Sequence, residues 1–145
     1  MRTDTRLSRM LHVLVHMHLL GGRETSETIA LMLNTNPVVV RRTMACLKSH
    51  GIVQSEGGKG GGWVLAKTAN QVTLLDVQSA LSSESIFSIG LSSDHPECPV
   101  EAAVNSVVGE ALRQSQARFM ENLQGVTLAD LAASFNPAMH KPGPG

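Results

Sequence analysis

Cys98 is the side chain in this sequence with the clearest capacity for redox chemistry. It directly precedes Pro99, where a long segment with helical periodicity begins. The dipole and the free N–H groups of a helix N-terminus favour thiolate over thiol, although Asp94 and Glu97 oppose that shift. We therefore predict that Cys98 is a sensor thiol that oxidation or nitrosation modifies. The alternative is an inert cysteine beneath the preceding loop.

The histidines could supply metal ligands. His12 and His16 are four residues apart and share one helix face, which is a spacing that metal sites use. His95 lies three residues before Cys98, so a His/Cys site shared between two chains is conceivable. Histidine pairs on an amphipathic helix are more often surface or core-edge residues, and we expect no cofactor and no metal. The alternative ligands are His12, His95 and Cys98.

A thiol- or metal-dependent enzyme or sensor that uses Cys98 with His95 or His12 is an alternative function. An enzyme of this kind requires a base that a third group orients, and no nucleophile motif surrounds Cys98. The glycine-rich run at 57–62 contains Gly-Lys-Gly where a phosphate-binding loop has Gly-Lys-Ser/Thr, and it leads into a strand. The sequence therefore predicts a protein that is not an enzyme.

Another group of residues is suited to contact DNA. Arginine pairs with guanine O6 and N7, asparagine pairs with adenine, and valine methyls contact the thymine methyl. Because Arg41 and Arg42 point about 100° apart on a helix, at most one of them should contact a base while the other holds phosphate. The residues predicted to contact DNA are Thr35, Asn36, Val38, Val39, Arg41, Arg42, Lys59 and Arg9. Lys59 lies in the glycine-rich run at 57–62, at the tip of a predicted β-hairpin wing.

A helix-turn-helix is needed to present these side chains. Apolar periodicity predicts a first helix over residues 5–20. Ser26 is the predicted cap of a short second helix. Asn36 is a good cap for the third helix, and Pro37 at its first position loses no hydrogen bond that the helix needs. This third helix is predicted to end near Ser49 and to enter the major groove.

A wing and a further helix are predicted to follow. Residues 52–56 and 63–66 have strand character on either side of the glycine-rich turn, which predicts a β-hairpin. Thr73, with Asp76 three residues later, has the pattern of a helix start, and this helix should end near Leu81.

The longest predicted helix covers residues 100–123. Its stripe of small and β-branched residues needs a second surface to pack against. Because the rest of the chain offers little core, we predict a twofold homodimer through this helix. Thr127 is the predicted cap of a final short helix, and residues 136–145 are predicted to be a disordered tail.

The predicted fold class is mainly α with a small β-hairpin wing. It is a winged helix-turn-helix plus a long C-terminal dimerisation helix. The predicted parts are a DNA-binding domain at 1–68, a helix and sensor loop at 69–97, the dimerisation helix and final short helix at 98–135, and the tail at 136–145.

The distribution of charge also favours a DNA-binding protein. Residues 1–68 carry nine Lys/Arg and four Asp/Glu, a net charge of +5, whereas residues 69–145 carry three and eight, a net charge of −5. A basic front half is expected where only that half contacts a polyanion. The chain is 42% hydrophobic and has neither a spanning apolar run nor a signal-type apolar core, so we expect a cytoplasmic protein with no membrane partner.

The order of these motifs resembles one known family. Residues 34–42, the wing glycines Gly60, Gly61 and Gly62, and the helix start at Thr73 resemble the Rrf-two (Rrf2) family of bacterial winged-helix transcriptional regulators. The resemblance covers nearly the whole chain. It implies a homodimer, joined through the long C-terminal helix, that binds a palindromic promoter site in double-stranded DNA and usually represses transcription. A protein-interaction module that has lost DNA binding is a further alternative.

The cysteines depart from the pattern of the cluster-binding members. Those members carry three cysteines before the long helix, and this sequence has Cys98 alone in that loop, so a three-cysteine iron–sulfur site is excluded. An iron–sulfur cluster with mixed ligands, including His12, stays open as an alternative, although Ser8 stands where a second first-helix ligand would be. Cys46, inside the third helix, is interpreted as a small packing residue.

Overall fold

The computed structural model describes residues 3–57, 61–82 and 86–135 of the 145-residue chain. These ranges contain six α-helices and one antiparallel hairpin. The elements are α1 Arg6–Leu20, α2 Ser26–Leu33, α3 Pro37–Ser49, β1 Val53–Glu56, β2 Gly62–Leu65, α4 Leu74–Leu81, α5 Pro99–Gln124 and α6 Leu128–Ser134. The predicted fold class is confirmed. The predicted disordered tail at 136–145 and the wing-tip Lys59 lie outside the described residues.

Local hydrogen bonds stabilise the turn and the second helix start of the helix-turn-helix. At the end of α2, Asn34 adopts a left-handed conformation with φ 55° and the Thr35 N–H donates to Ala30 O (2.9 Å), which closes the turn. The Val39 N–H then donates to Asn36 Oδ1 (3.1 Å), so Asn36 caps α3 as predicted. Pro37 occupies the first turn, where no intrahelical N–H is needed.

The predicted cap of α2 is wrong by one residue. Thr25 is the N-cap, and its side chain accepts a hydrogen bond from the Thr28 N–H (3.1 Å). Ser26 is instead the first helical residue, and it is buried. Its Oγ accepts a hydrogen bond from the Trp63 indole N–H (3.0 Å), a tertiary contact that sequence patterns do not indicate.

Within the described residues, one apolar core contains side chains from α1 to α4 and from α6. Val40, Met44 and Leu47 bury one face of α3 in the core, where α3 packs against α2, α4 and β1. Fully burying a side chain of this size contributes about 1.5–3 kcal/mol. Leu128 of α6 also lies fully within this core, so α6 packs with the N-terminal helices rather than apart from them.

Two short backbone ladders hold the wing and α6 in place. On one side, the Glu24 N–H donates to Trp63 O (3.0 Å) and the Trp63 N–H donates to Glu24 O (2.8 Å), which ties β2 to the segment before α2. On the other side, the Leu74 N–H donates to Val126 O (2.9 Å) next to the Thr73–Thr127 bridge. The starts of α4 and α6 are therefore fixed to each other.

In contrast, α5 is largely uncovered in a single chain. Of its 26 residues only Gly109 is buried, where Leu91 of the preceding segment lies against the helix. Val100 and Val107 are more than two-thirds exposed, at 71% and 72%, and Val104 is 53% exposed. No helix in the described ranges is long and apolar enough to cross a membrane.

We expect Gly62→Ala to destabilise the fold by about 1–3 kcal/mol, because the added methyl overpacks a rigid contact. A Cβ at residue 62 would lie 2.6 Å from the backbone oxygen of Glu24, which the ladder with Trp63 prevents from moving. Urea denaturation followed by circular dichroism measures the loss. Gly57→Ala is the matched control, since a Cβ there meets nothing within 4 Å. Equal stability of the two variants would contradict the assigned role of Gly62.

Candidate nucleic-acid interface

The buried face of α3 determines which of its side chains point outward. Val40, Met44 and Leu47 all face the core, which leaves the opposite side of the helix in solvent. We call the exposed residues near its start the α3 outer face. They are Val38, Val39, Arg41 and Arg42. The structure brings these four predicted residues together on one accessible surface, at the N-terminal part of the helix where helix-turn-helix proteins contact bases.

Asn36 and Thr35 lie next to the α3 outer face, and both have structural roles. The Asn36 amide oxygen is engaged in the α3 cap, and the Thr35 N–H is engaged in the turn. A bidentate contact of Asn36 with adenine needs the same oxygen. The Asn36 amide oxygen is therefore already engaged by the Val39 N–H, and the predicted base contact would have to share that oxygen.

The two arginines of the α3 outer face differ in their surroundings. Arg41 Nη1 lies 3.7 Å from Glu27 Oε1 of α2, and both side chains are more than half exposed. Within the described ranges, Arg42 is exposed and forms no ion pair with a carboxylate. Sequence reasoning did not find Glu27, because its approach to Arg41 depends on how α2 and α3 are packed.

The side chains of Arg9 and Lys48 make hydrogen bonds to other elements of the fold. Arg9 Nη2 donates to Leu33 O (2.6 Å), so it stabilises the C-terminal end of α2; its phosphate contact stays a prediction. Lys48 Nζ donates to Ser55 Oγ (2.9 Å) and links α3 to β1. Lys48 was not among the residues predicted to contact DNA, although lysine is a residue type that contacts phosphates.

The segment before α5 is folded onto the first turns of that helix. The Glu101 carboxylate accepts hydrogen bonds from Ser92 Oγ (3.2 Å) and from the His95 N–H (2.8 Å). Asn105 Nδ2 donates to Ser92 O (2.9 Å), one turn further along. Residues 92–98 therefore form a defined cap over the start of α5, and they include the end of the segment predicted as a sensor loop.

Cys98 is the N-cap residue of α5, and it is partly buried. The backbone N–H groups of Glu101 and then Val100 lower the pKa of the Cys98 thiol below its ordinary value. These amides lie at the N-terminus of α5, where the helix dipole also favours a thiolate. This effect has the direction that the sequence predicted.

The alternative of a metal site has less structural support than the reactive thiol. The rings of His12 and His16 pack edge to face with centroids 4.8 Å apart. In the part of the chain that the structure describes, no group of three or more His, Cys, Asp or Glu side chains is placed to hold a metal ion.

The interpretation of Cys46 as a packing residue is wrong. Cys46 is exposed on α3, and its backbone oxygen accepts a hydrogen bond from Ser49 Oγ (2.8 Å). The core side of α3 is already occupied by Met44 and Leu47, which flank Cys46 in the sequence. Because neighbouring helical residues point in different directions, Cys46 is directed away from the core.

Comparison with known proteins identifies the family. The profile of the Rrf2 family, described as an iron-dependent transcriptional regulator, matches residues 3–134. YwnA of Bacillus subtilis strain 168, described as an HTH-type transcriptional regulator, is 31% identical over 129 residues, which are 88% of this chain and 95% of YwnA. The chain belongs to the Rrf2 family.

Solved structures of other regulators have the same fold. IscR of T. potens matches with a TM-score of 0.67 and 21% identity, over 99% of this chain and 94% of IscR. CymR, the global cysteine regulator of B. subtilis, matches with a TM-score of 0.66 and 22% identity, over 94% of this chain and 99% of CymR. As an Rrf2 protein, this chain is a DNA-binding transcriptional regulator, and the prediction that it is not an enzyme is confirmed by its family.

For this Rrf2 protein we expect Asn36→Ala to lower the free energy of unfolding by about 1 kcal/mol, because α3 loses its N-cap. Asn36→Ser is the matched control, since a serine hydroxyl can also accept the Val39 N–H bond. Thermal and urea denaturation measure the difference. If the alanine variant were as stable as the serine variant, the cap would not contribute to the position of α3.

Proposed function

We propose that this regulator is a homodimeric repressor that binds a palindromic promoter site through α3 and the wing, and that chemistry at Cys98 modulates its binding. The observation that carries the proposal is the α3 outer face, where Val38, Val39, Arg41 and Arg42 stand exposed on a capped helix with a fully packed opposite side. Guanidinium and methyl groups are the side-chain groups that recognise guanine and thymine edges in the major groove.

The uncovered surface of α5 supports the homodimer. An exposed apolar stripe on a 26-residue helix is costly in water and is relieved when an equivalent stripe packs against it. Val100, Val104 and Val107 lie along this stripe. Their small size suits close approach of two helices.

Twofold symmetry then favours a palindromic site. Two copies related by a twofold axis present two α3 helices in opposite directions, so each half-site is read in the inverted sense. A dimer that covers a promoter in this way excludes other proteins from it, which is the physical basis of repression. The proposals of a palindromic site and of repression both rest on the family resemblance and on the α3 outer face.

The position of Cys98 supports the modulation. Its thiol lies at the start of α5, and the lowered pKa raises the fraction of reactive thiolate. Adding charge or bulk there would disturb the cap that Glu101 holds over the helix start. Because α5 joins the two copies, a shift at its start would change the distance between the two α3 helices.

We expect selection from a randomised DNA duplex library to yield an inverted repeat for the wild type. Val104→Asp combined with Val107→Asp should give monomers in sedimentation experiments, because the stripe can no longer be buried, and these monomers should bind the selected duplex at least tenfold more weakly. Ser106→Asp is the control for added negative charge, since it places one carboxylate at an exposed residue between the two valines. A dimer that survives the double substitution would place the interface elsewhere.

For Cys98 we expect a nitrosating or oxidising agent to change the affinity for the selected duplex in wild type and in Cys46→Ser, but not in Cys98→Ser. The Cys46→Ser comparison is needed because Cys46 is exposed on α3 and could react independently. The rate of alkylation at Cys98 should also rise with pH around a midpoint below the value of about 8.5 for a free cysteine. An unchanged response in Cys98→Ser would make this thiol structural.

A further inference from the structure

The structure distinguishes the two adjacent arginines of α3, whose sequence leaves their roles open. Helical residues follow each other at about 100° around the axis, so Arg42 stands about 200° from the buried Val40 and Arg41 only about 100° from it. Met44 and Leu47 bury the same side of the helix as Val40. Arg42 therefore points directly away from the core, whereas Arg41 lies on the flank of the helix.

Val38 adds to the distinction. It is one turn before Arg42 on the same side of α3, and 56% of its surface is exposed although it is apolar. An exposed methyl group and a guanidinium in line along one helix face match a thymine methyl next to a guanine edge. The most outward part of α3 is thus formed by Val38 and Arg42.

Unlike Arg42, Arg41 lies near a carboxylate, that of Glu27. The 3.7 Å contact between Glu27 Oε1 and Arg41 Nη1 draws the Arg41 guanidinium towards α2. In helix-turn-helix complexes the helix before the recognition helix crosses the DNA backbone, so this flank faces phosphates rather than base edges. Within the described ranges, Arg42 has no carboxylate that holds it in a comparable way.

We propose that Arg42 is the arginine that contacts a base edge, with guanine as its partner, and that Glu27 is a positioning residue that keeps Arg41 on the sugar-phosphate backbone. This inference rests on the proposed function, because it assigns the specificity of the same α3 outer face. Glu27 contacts no base itself. It acts by holding Arg41 out of the groove that Arg42 enters.

The test compares base preferences selected from a randomised DNA duplex library. Arg42→Ala should lose its preference at one position of each half-site, with discrimination reduced about tenfold or more. Arg41→Ala should keep every base preference, bind all duplexes more weakly, and reduce the slope of log affinity against log salt by about one per arginine removed from the interface. Arg42→Lys should retain the salt slope but not the preference, since lysine cannot form the bidentate contact.

Glu27→Gln tests the positioning role. It releases Arg41, so the selected preference should change, and the change should disappear in the double variant Glu27→Gln with Arg41→Ala. Glu56→Gln is the matched control, because it removes a carboxylate from another exposed ion pair, with Arg23 at 3.0 Å, and should leave the base preference unaltered. Circular dichroism should show all variants folded, since each replaced side chain is exposed.

The outcomes separate this inference from the function on which it rests. Loss of base preference in Arg41→Ala with retention in Arg42→Ala would overturn the assignment of the two arginines. A Glu27→Gln effect that persists without Arg41 would overturn the positioning role. A wild-type protein that selects no sequence would contradict the proposed function itself.

Discussion

The burial of Val40, Met44 and Leu47 is the constraint on which the rest of this structure depends. These three side chains lie on one face of α3 and are almost fully removed from water, so the helix can rotate little about its axis without exposing them. The Asn36 cap fixes where the helix starts. Together they determine which side chains reach solvent, and so which can reach DNA. Because the direction of these outward residues is already fixed, their chemical identity can then determine what they contact on DNA.

The two ends of α5 are attached to different parts of the chain. At the first end, Glu101 binds Ser92 and the His95 backbone, which folds the Cys98 segment over the helix start. At the other end, the ladder between Leu74 and Val126 and the burial of Leu128 tie the exit of α5 to the core that supports α3. The helix α5 therefore connects the Cys98 segment to the core that supports α3.

On the α3 outer face, the main effect of electrostatics is to orient a charged side chain. The ion pair of Arg41 with Glu27 is exposed and contributes little to stability, as exposed pairs generally do. Its consequence is the placement of a guanidinium. At Cys98, at the start of α5, the backbone amides of Glu101 and Val100 likewise favour the thiolate over the thiol by lowering the pKa of the side chain.

The sequence by itself determined the helix-turn-helix, the wing and the starts at Asn36, Thr73 and Thr127, because caps and turns depend on residues a few positions apart. It also identified the family and the residues of the α3 outer face. Only the tertiary structure decided that Ser26 binds Trp63, that Arg9 holds the end of α2, that Cys46 is exposed and that Glu27 pairs with Arg41. These features depend on how helices pack together, and neither periodicity nor local hydrogen bonding specifies the rotation of one helix against its neighbours.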